Sequence, residues 1–118
     1  MTAQSLAWLG VRTPHFPAMA AFYRDVLGLD VLRDTPDDAR FRLVDGTEVH
    51  VYGPGDVDHD FFGPGPVVAL LVDDFAATSA RMVAAGIEFI GDPQQEGSAI
   101  WNHFRAPDGN IYELISRS

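Results

Sequence analysis

Two stretches of the sequence repeat each other, and this internal repeat constrains the fold more than any other feature. The segment that begins at Phe41 reads Phe-Arg-Leu-Val-Asp-Gly, and the segment that begins at Phe104 reads Phe-Arg-Ala-Pro-Asp-Gly. A second repeat relates residues 22–32 to residues 80–90, where a helical pattern ends at a glycine and a strand pattern follows. A repeated supersecondary unit fixes the architecture. The sequence therefore predicts two copies of the order strand, helix, strand, strand, strand.

Each Asp-Gly pair lies between two runs that alternate like strands, which is the strongest short-range signal for a β-hairpin. In the strand after the first turn, Glu48, His50 and Tyr52 share one face. In the strand after the second turn, Glu113 stands among apolar residues at the repeat position of His50. A carboxylate with such neighbours must face water, find a cation or line a cavity.

Helical spacing predicts which residues of the two helices face the sheet. For the first helix these are Met19, Phe22, Tyr23, Val26 and Leu27. For the second helix they are Phe75, Ser79, Met82 and Val83. His15 and His59 fall in turns, where a surface position is the simplest expectation.

Residues 53–66 are rich in Gly, Pro and Asp and are expected to link the two halves. Within them Asp56, Asp58 and Asp60 alternate as in a calcium-binding loop. The glycine that such a loop needs is missing, and Val67 stands where its final glutamate would be, so we reject a calcium site. Phe61 and Phe62 in the same segment are expected to cover the edge of the core or the mouth of a cavity.

Composition limits the class of protein. A chain of 118 residues has room for one hydrophobic core, so we expect a single domain over residues 1–118, with modules at about 1–56 and 66–118 and a linker at about 57–65. A formal net charge of −9 disfavours nucleic acid and would suit a cationic ligand. The absence of cysteine, of a leader and of a long apolar run leads us to expect a cytoplasmic protein without disulfides or a membrane span.

Three motifs resemble the vicinal-oxygen-chelate superfamily, which contains glyoxalase I, bleomycin-resistance and fosfomycin-resistance proteins and extradiol dioxygenases. They are residues 21–29 (AFYRDVLGL), residues 72–75 (VDDF) and residues 106–114 (APDGNIYEL). The resemblance covers nearly the whole chain. It implies an α+β fold of two βαβββ modules whose curled mixed sheets form a cavity, and it implies a homodimer. Members of the superfamily share a fold but not a reaction, so function must be argued from the site.

In metal-dependent members, each module supplies one ligand from its first strand and one from its last. Carried onto this sequence, those positions are Trp8, His50, Val67 and Glu113, of which only His50 and Glu113 have side chains that bind metals. A stable catalytic metal usually needs at least three protein ligands. We therefore expect no cofactor. The alternative is a divalent Ni, Zn, Fe or Mn ion on His50 and Glu113, completed by His103 or by a partner subunit.

As repeat mates, His50 and Glu113 are expected to face each other across the cavity, either as a proton-transfer pair or as a vestigial hydrogen-bonded pair. Trp8 either stacks on a ligand or fills the space of a lost metal. Arg12 is a candidate ligand-binding residue too, expected as a charge at the rim rather than as an anchor for an anion. The further candidate ligand-binding residues are Tyr52, Trp101 and His103. His103 depends on the hairpin register, because a plain two-residue turn places Asn102 and Phe104 beside Glu113, whereas a bulged turn places Trp101 and His103 there. The resemblance favours the bulged turn.

Two hypotheses for function follow. The first is a metal-independent protein that binds a small aromatic or cationic molecule, as bleomycin-resistance proteins do. The second is an enzyme, either a divalent-metal-dependent lyase, isomerase or dioxygenase that uses His50 and Glu113 as ligands, or a metal-free enzyme that uses them as acid and base. Neither hypothesis names the ligand or the reaction.

Overall fold

The computed structural model describes residues 3–63 and 65–117. They form an α+β fold, as expected, with two compact units. The N-terminal unit is Trp8–Pro66, and the C-terminal unit consists of residues 3–7 together with residues 67–117. No helix within residues 3–63 and 65–117 is long and apolar enough to cross a membrane.

The structure contains two α-helices, a π-helical turn and nine strands in its described part. The helices are α1 (Phe16–Ala21), continued by the π-helical turn Phe22–Val26, and α2 (Phe75–Ala84). The strands of the first part are β1 (Ser5–Arg12), β2 (Asp30–Asp34), β3 (Asp38–Arg42) and β4 (Glu48–Tyr52). The later strands are β5 (Val67–Leu71), β6 (Glu88–Phe89), β7 (Gln94–Glu96), β8 (Ala99–Arg105) and β9 (Ile111–Ser116).

In the N-terminal unit the strand order is β2-β3-β4-β1, with β1 parallel to β4 and the other pairs antiparallel. One face of this sheet packs against α1. The buried core there consists of Phe16, Ala20, Ala39, Phe41 and Val51. Strand alternation then places the neighbours of these residues, including His50 and Tyr52, on the opposite face.

The predicted inward face of the first helix is wrong in part. Met19 and Tyr23 pack against the core, but Phe22, Val26 and Leu27 are exposed. For Val26 and Leu27 the reason is the π-helical turn, in which the Leu27 N–H donates to the Phe22 carbonyl oxygen at 3.0 Å. A π turn holds more residues than an α turn, so the side chains that follow no longer keep the 3.6-residue spacing.

The C-terminal unit has the strand order β5-β9-β8-β6, with β5 parallel to β9 and β7 added to β8. Its core consists of Val72, Phe75, Phe104 and Leu114. Asp74 caps α2 by accepting the Ala77 N–H at 3.0 Å, which satisfies a free donor of the first turn. Val83 was expected to face inward, but it is 60% exposed because the buried face of α2 runs through Phe75 and Thr78.

The two Asp-Gly hairpins have the same turn. Gly46 and Gly109 adopt φ angles of 92° and 88°, a left-handed conformation that glycine adopts without strain. In the second hairpin the Ala106 N–H donates to the Asn110 carbonyl and the Gly109 N–H to the Ala106 carbonyl, both at 2.8 Å. This longer turn pairs His103 with Glu113 across β8 and β9, so the structure has the register that the resemblance favours.

Candidate functional site

Five ring-bearing residues of the N-terminal unit contact one another on the face of the sheet opposite α1. We call this set the aromatic wall. Its members are Trp8 on β1, His50 and Tyr52 on β4, and His59 and Phe62 in the loop that follows β4. Trp8, His50, Tyr52 and Phe62 are buried. The wall therefore brings together three of the predicted site residues and adds two that the sequence did not single out as ligands.

Hydrogen bonds fix the imidazole of His50 at both nitrogens. Nδ1 lies 2.8 Å from the Tyr52 hydroxyl, and Nε2 lies 2.9 Å from Oε1 of Glu48. An ionised carboxylate can only accept, so Nε2 carries the proton and Nδ1 accepts from Tyr52. Burial lowers the pKa of His50, an effect that the nearby Arg40 charge adds to and the Glu48 hydrogen bond opposes. Burial therefore favours the neutral ring, in which Nε2 donates to Glu48 and Nδ1 accepts from Tyr52.

The indole ring of Trp8 covers the imidazole ring of His50. Its ring is stacked on the His50 ring with centroids 5.1 Å apart and an interplanar angle of 6°. The indole also lies across Gly10, where an added Cβ would overlap it. Only 7% of Trp8 is exposed. The position that the resemblance assigns to a metal ligand is thus occupied by a packed apolar ring.

His59 is half-buried, and the expectation that it lies on the surface is wrong. Its ring stacks on Tyr52 with centroids 3.8 Å apart, and Asp56 accepts both its backbone N–H and its Nδ1 at 3.0 Å. Asp side chains often accept hydrogen bonds from backbone N–H groups a few residues away in the sequence. The spacing of Asp56 and His59 was therefore the available signal. The stacking partner, in contrast, depends on where the loop folds.

Arg12 is tied to the same loop. Its guanidinium donates to the Pro54 carbonyl oxygen at 3.2 Å and to the Asp56 carbonyl oxygen at 3.2 Å and 3.3 Å. Arg12 and Asp56 thus hold the loop that carries His59. Arg12 thus positions the loop, and any ligand at the rim would compete with these carbonyl oxygens for its guanidinium.

Arg40 is a charged group of this face that the sequence analysis did not select. It pairs with His50 across β3 and β4, and its guanidinium lies 6.0 Å from the centre of the Tyr52 ring. Nε and Nη2 donate to the two oxygens of Asp38, each at 3.0 Å. Alternation along β3 predicts this placement once the hairpin register is known.

The C-terminal unit presents a different arrangement. His103 and Glu113 are opposite each other on β8 and β9, and His103 Nε2 lies 3.1 Å from Glu113 Oε1. Glu113 is only 4% exposed. Trp101 is paired with Ile115 two residues along, on the same face. A buried carboxylate beside an imidazole can hold or move a proton at that nitrogen.

The side chains of each unit do not make a metal site by themselves. Both nitrogens of His50 already have hydrogen-bond partners, and Trp8 has no lone pair to donate. Val67, at another position that the resemblance assigns to a ligand, is a buried aliphatic residue. Across residues 3–63 and 65–117, no group of three or more His, Cys, Asp or Glu side chains is placed to hold a metal ion.

Comparison with known families identifies the fold. The family model described as Glyoxalase/Bleomycin resistance protein/Dioxygenase superfamily matches residues 5–114. The chain belongs to this superfamily. The resemblance based on the three motifs is thereby confirmed. No curated protein sequence matches this superfamily member.

Solved structures agree on the fold. A Mn(II)-bound glyoxalase from Novosphingobium aromaticivorans has a TM-score of 0.78 at 24% identity, covering 98% of this chain and 39% of that chain. Methylmalonyl-CoA epimerase from Mycobacterium tuberculosis has a TM-score of 0.73 at 18% identity, covering 98% and 89%. A superfamily member from Vibrio splendidus 12B01 has a TM-score of 0.70 at 20% identity, covering 95% and 99%. At these identities the likeness establishes the fold alone.

Proposed function

We propose that the protein binds a small organic molecule at the aromatic wall and does so without the metal-ligand set of its metal-dependent relatives. The observation that supports this proposal is that the His50 ring is hydrogen-bonded at both nitrogens and covered on one face. Its two ring nitrogens are held by Tyr52 and Glu48, and its face is covered by Trp8. A metal could reach this imidazole only by replacing a hydrogen bond inside a buried cluster, which costs free energy.

The chemistry of the wall indicates a planar ligand. Indole and imidazole rings stack on flat aromatic molecules, and Trp also binds cations on its face. The net charge of −9 supports a cationic ligand. Arg40 lies against Tyr52 and opposes a cation there, so the proposed contact for a positive group is Trp8.

The test compares two quinolines of similar shape by thermal unfolding. N-methylquinolinium is a cation, whereas quinoline is neutral at pH values above its own pKa. We expect the cation to raise the melting temperature more, because a ligand that prefers the native state stabilises it. Trp8→Leu should abolish this rise, and Trp101→Leu is the matched control in the other unit. An equal rise in the parent and in Trp8→Leu would refute the proposed site.

A second function is supported by the pair His103–Glu113, whose carboxylate and imidazole lie 3.1 Å apart and are largely buried. Such a pair suits metal-free proton transfer next to a carbonyl group. Because a methylmalonyl-CoA epimerase has a similar fold, methylmalonyl-CoA is the substrate with which we propose to test this function.

The second function is tested by deuterium exchange. The protein is incubated with methylmalonyl-CoA in heavy water, and deuterium at the carbon between the two carbonyl groups is measured by mass spectrometry. Glu113→Gln keeps the shape of the side chain but removes the base, so it should abolish exchange while the protein stays folded. Exchange that persists in this variant, or no exchange in the parent, would contradict this function for that substrate.

The metal-dependent alternative through His50 and Glu113 stays a prediction, supported by the Mn(II)-bound neighbour and opposed by the hydrogen bonds of His50. Elemental analysis of untagged protein tests it. Stoichiometric Ni, Zn, Fe or Mn that is lost in Glu113→Ala would favour the metal enzyme over the binding protein. The module boundaries, the homodimer, the cytoplasmic location and a cavity enclosed by both halves also stay predictions.

A further inference from the structure

A second candidate site lies in the C-terminal unit, on the face of the sheet opposite the His103–Glu113 pair. It is a groove of about 680 Å³ between α2 and the strands β6 and β8. Pockets for small organic ligands are typically about 300–1,000 Å³. The groove is therefore large enough for a molecule of several fused or linked rings. We call it the helix groove.

The walls of the helix groove are almost entirely apolar. Phe89 and Ile100 line it from the strands, and Phe75, Ala76, Ala80 and Val83 line it from α2. The ten side chains and backbone segments that line it include no Asp, Glu, Lys, Arg or His. This is notable in a chain with a net charge of −9. An ion placed there would lose hydration without an opposite charge to pair with, so the occupant should be uncharged.

Asn102 gives the groove a directional polar group. It is 7% exposed, its amide NH₂ donates to the Gly91 carbonyl oxygen at 2.8 Å, and its carbonyl oxygen accepts the His103 N–H at 2.9 Å. An amide NH₂ has two hydrogens. Within the described residues 3–63 and 65–117, only one acceptor, that of Gly91, is bonded to this group. The second hydrogen can bind an acceptor on a ligand.

Ser79 supplies a contrast. Its hydroxyl hydrogen is directed to the Phe75 carbonyl oxygen at 2.7 Å, within the helix itself. The hydroxyl is thus already engaged as a donor, and Asn102 is the lining side chain from which a ligand can receive a hydrogen bond.

We propose that the helix groove binds an uncharged, largely apolar small molecule that carries a hydrogen-bond acceptor, such as a ketone or ester carbonyl, opposite Asn102. The groove lies outside the residues of the aromatic wall and outside the His103–Glu113 pair. Because the groove has an uncharged lining, its occupant is of a different chemical class from the aromatic cation proposed for the wall.

The probe for this proposal is Prodan, a neutral naphthalene ketone dye whose emission shifts to shorter wavelength in apolar surroundings. Ala80 and Ala84 are both exposed on α2, but only Ala80 lines the groove. Ala80→Leu fills the groove, and Ala84→Leu adds the same volume elsewhere on the helix. We expect Ala80→Leu to weaken Prodan binding by about tenfold or more, and Ala84→Leu to leave it unchanged.

Three results would overturn the proposal. Prodan could bind the parent and both variants equally, or the anionic dye anilinonaphthalene sulfonate could bind as tightly as Prodan in an Ala80-dependent way. Alternatively, Ala80→Leu but not Ala84→Leu could dissociate an oligomer in sedimentation, which would mean that a second copy covers the groove.

The infrared carbonyl band of bound Prodan tests Asn102, since a hydrogen-bonded ketone absorbs at a lower frequency than the same ketone in hydrocarbon. A band at the hydrocarbon frequency would remove Asn102 from the site.

Discussion

The indole ring of Trp8 lies parallel to the imidazole ring of His50, with centroids 5.1 Å apart and planes 6° apart. The two residues stand on adjacent parallel strands, β1 and β4, where Gly10 is the register partner of His50. Trp8 reaches His50 only because Gly10 has no side chain. The position that the resemblance assigns to a metal ligand is thus part of the aromatic wall.

Replacing Trp8 should destabilise the protein strongly. Truncating a buried Trp to Ala costs about 3–5 kcal/mol, because the transfer free energy is lost and a cavity remains. We expect Trp8→Ala to lower the free energy of unfolding by an amount in this range, measured by urea denaturation. Trp8→Phe keeps a ring for His50 and should recover about half of the loss. Equal stabilities of the two variants would show that ring stacking contributes nothing measurable.

Gly10→Ala should displace Trp8 without removing it. A methyl group at this position overlaps the indole, so the ring has to leave its stack on His50. The chain has two tryptophans, and in a Trp101→Phe background the emission reports Trp8 alone. We expect a red shift of the emission and increased quenching by iodide, because the ring becomes more exposed.

Gly63→Ala is the control for this prediction, since a Cβ there meets no atom within 4 Å and the φ angle is not in the left-handed region. Its emission should match that of the parent. Unchanged emission in Gly10→Ala would mean that β1 moves instead of Trp8.

Much of this fold could be predicted because the two repeats contain strong local signals. The Asp-Gly turns at Gly46 and Gly109 predict both hairpins, and strand alternation then places Glu48, His50 and Tyr52 on one face. These inferences need only sequence spacing and turn chemistry. The family resemblance rests on residues 21–29, 72–75 and 106–114, of which only the last stretch contains one of these turns. The same resemblance favoured the register that pairs His103 with Glu113.

The features that the sequence did not reveal depend on geometry beyond the local chain. The stack of His59 on Tyr52 requires a loop of many residues to fold back over β4. The exposure of Val26 follows from a π turn, for which the sequence has no periodic signal. Arg40 was also missed, because its place beside His50 follows from the register of the first hairpin, which the turn residues alone do not determine.

Tyr52→Phe should leave the imidazole of His50 with an unsatisfied acceptor. The Tyr52 hydroxyl is 2.8 Å from Nδ1, and both residues are buried. Leaving a buried acceptor without its donor costs about 1–3 kcal/mol. We expect a loss of this size in urea denaturation, together with a shift of the His50 Nδ1 resonance in nitrogen NMR. If the stability falls while the Nδ1 resonance stays in place, the loss comes from packing and not from this hydrogen bond.

The stability of the protein should fall as the pH drops below the ordinary pKa of histidine, about 6.5. Burial lowers the pKa of His50 in the folded state, so the unfolded chain binds a proton that the folded chain does not between the two pKa values. The free energy of unfolding therefore rises with pH across this window. The stability that His50 contributes is fully present above a pH of about 6.5 and is lost as the pH falls toward the pKa of His50 in the folded state.

The contribution of His50 is the difference between the parent and His50→Gln, whose amide can still donate to Glu48. Both proteins are unfolded with urea at a series of pH values above the range in which carboxylates titrate. We expect the parent to lose stability on acidification more steeply than the variant, since the other histidines are common to both. Parallel curves would mean that burial does not lower the pKa of His50 in the folded protein.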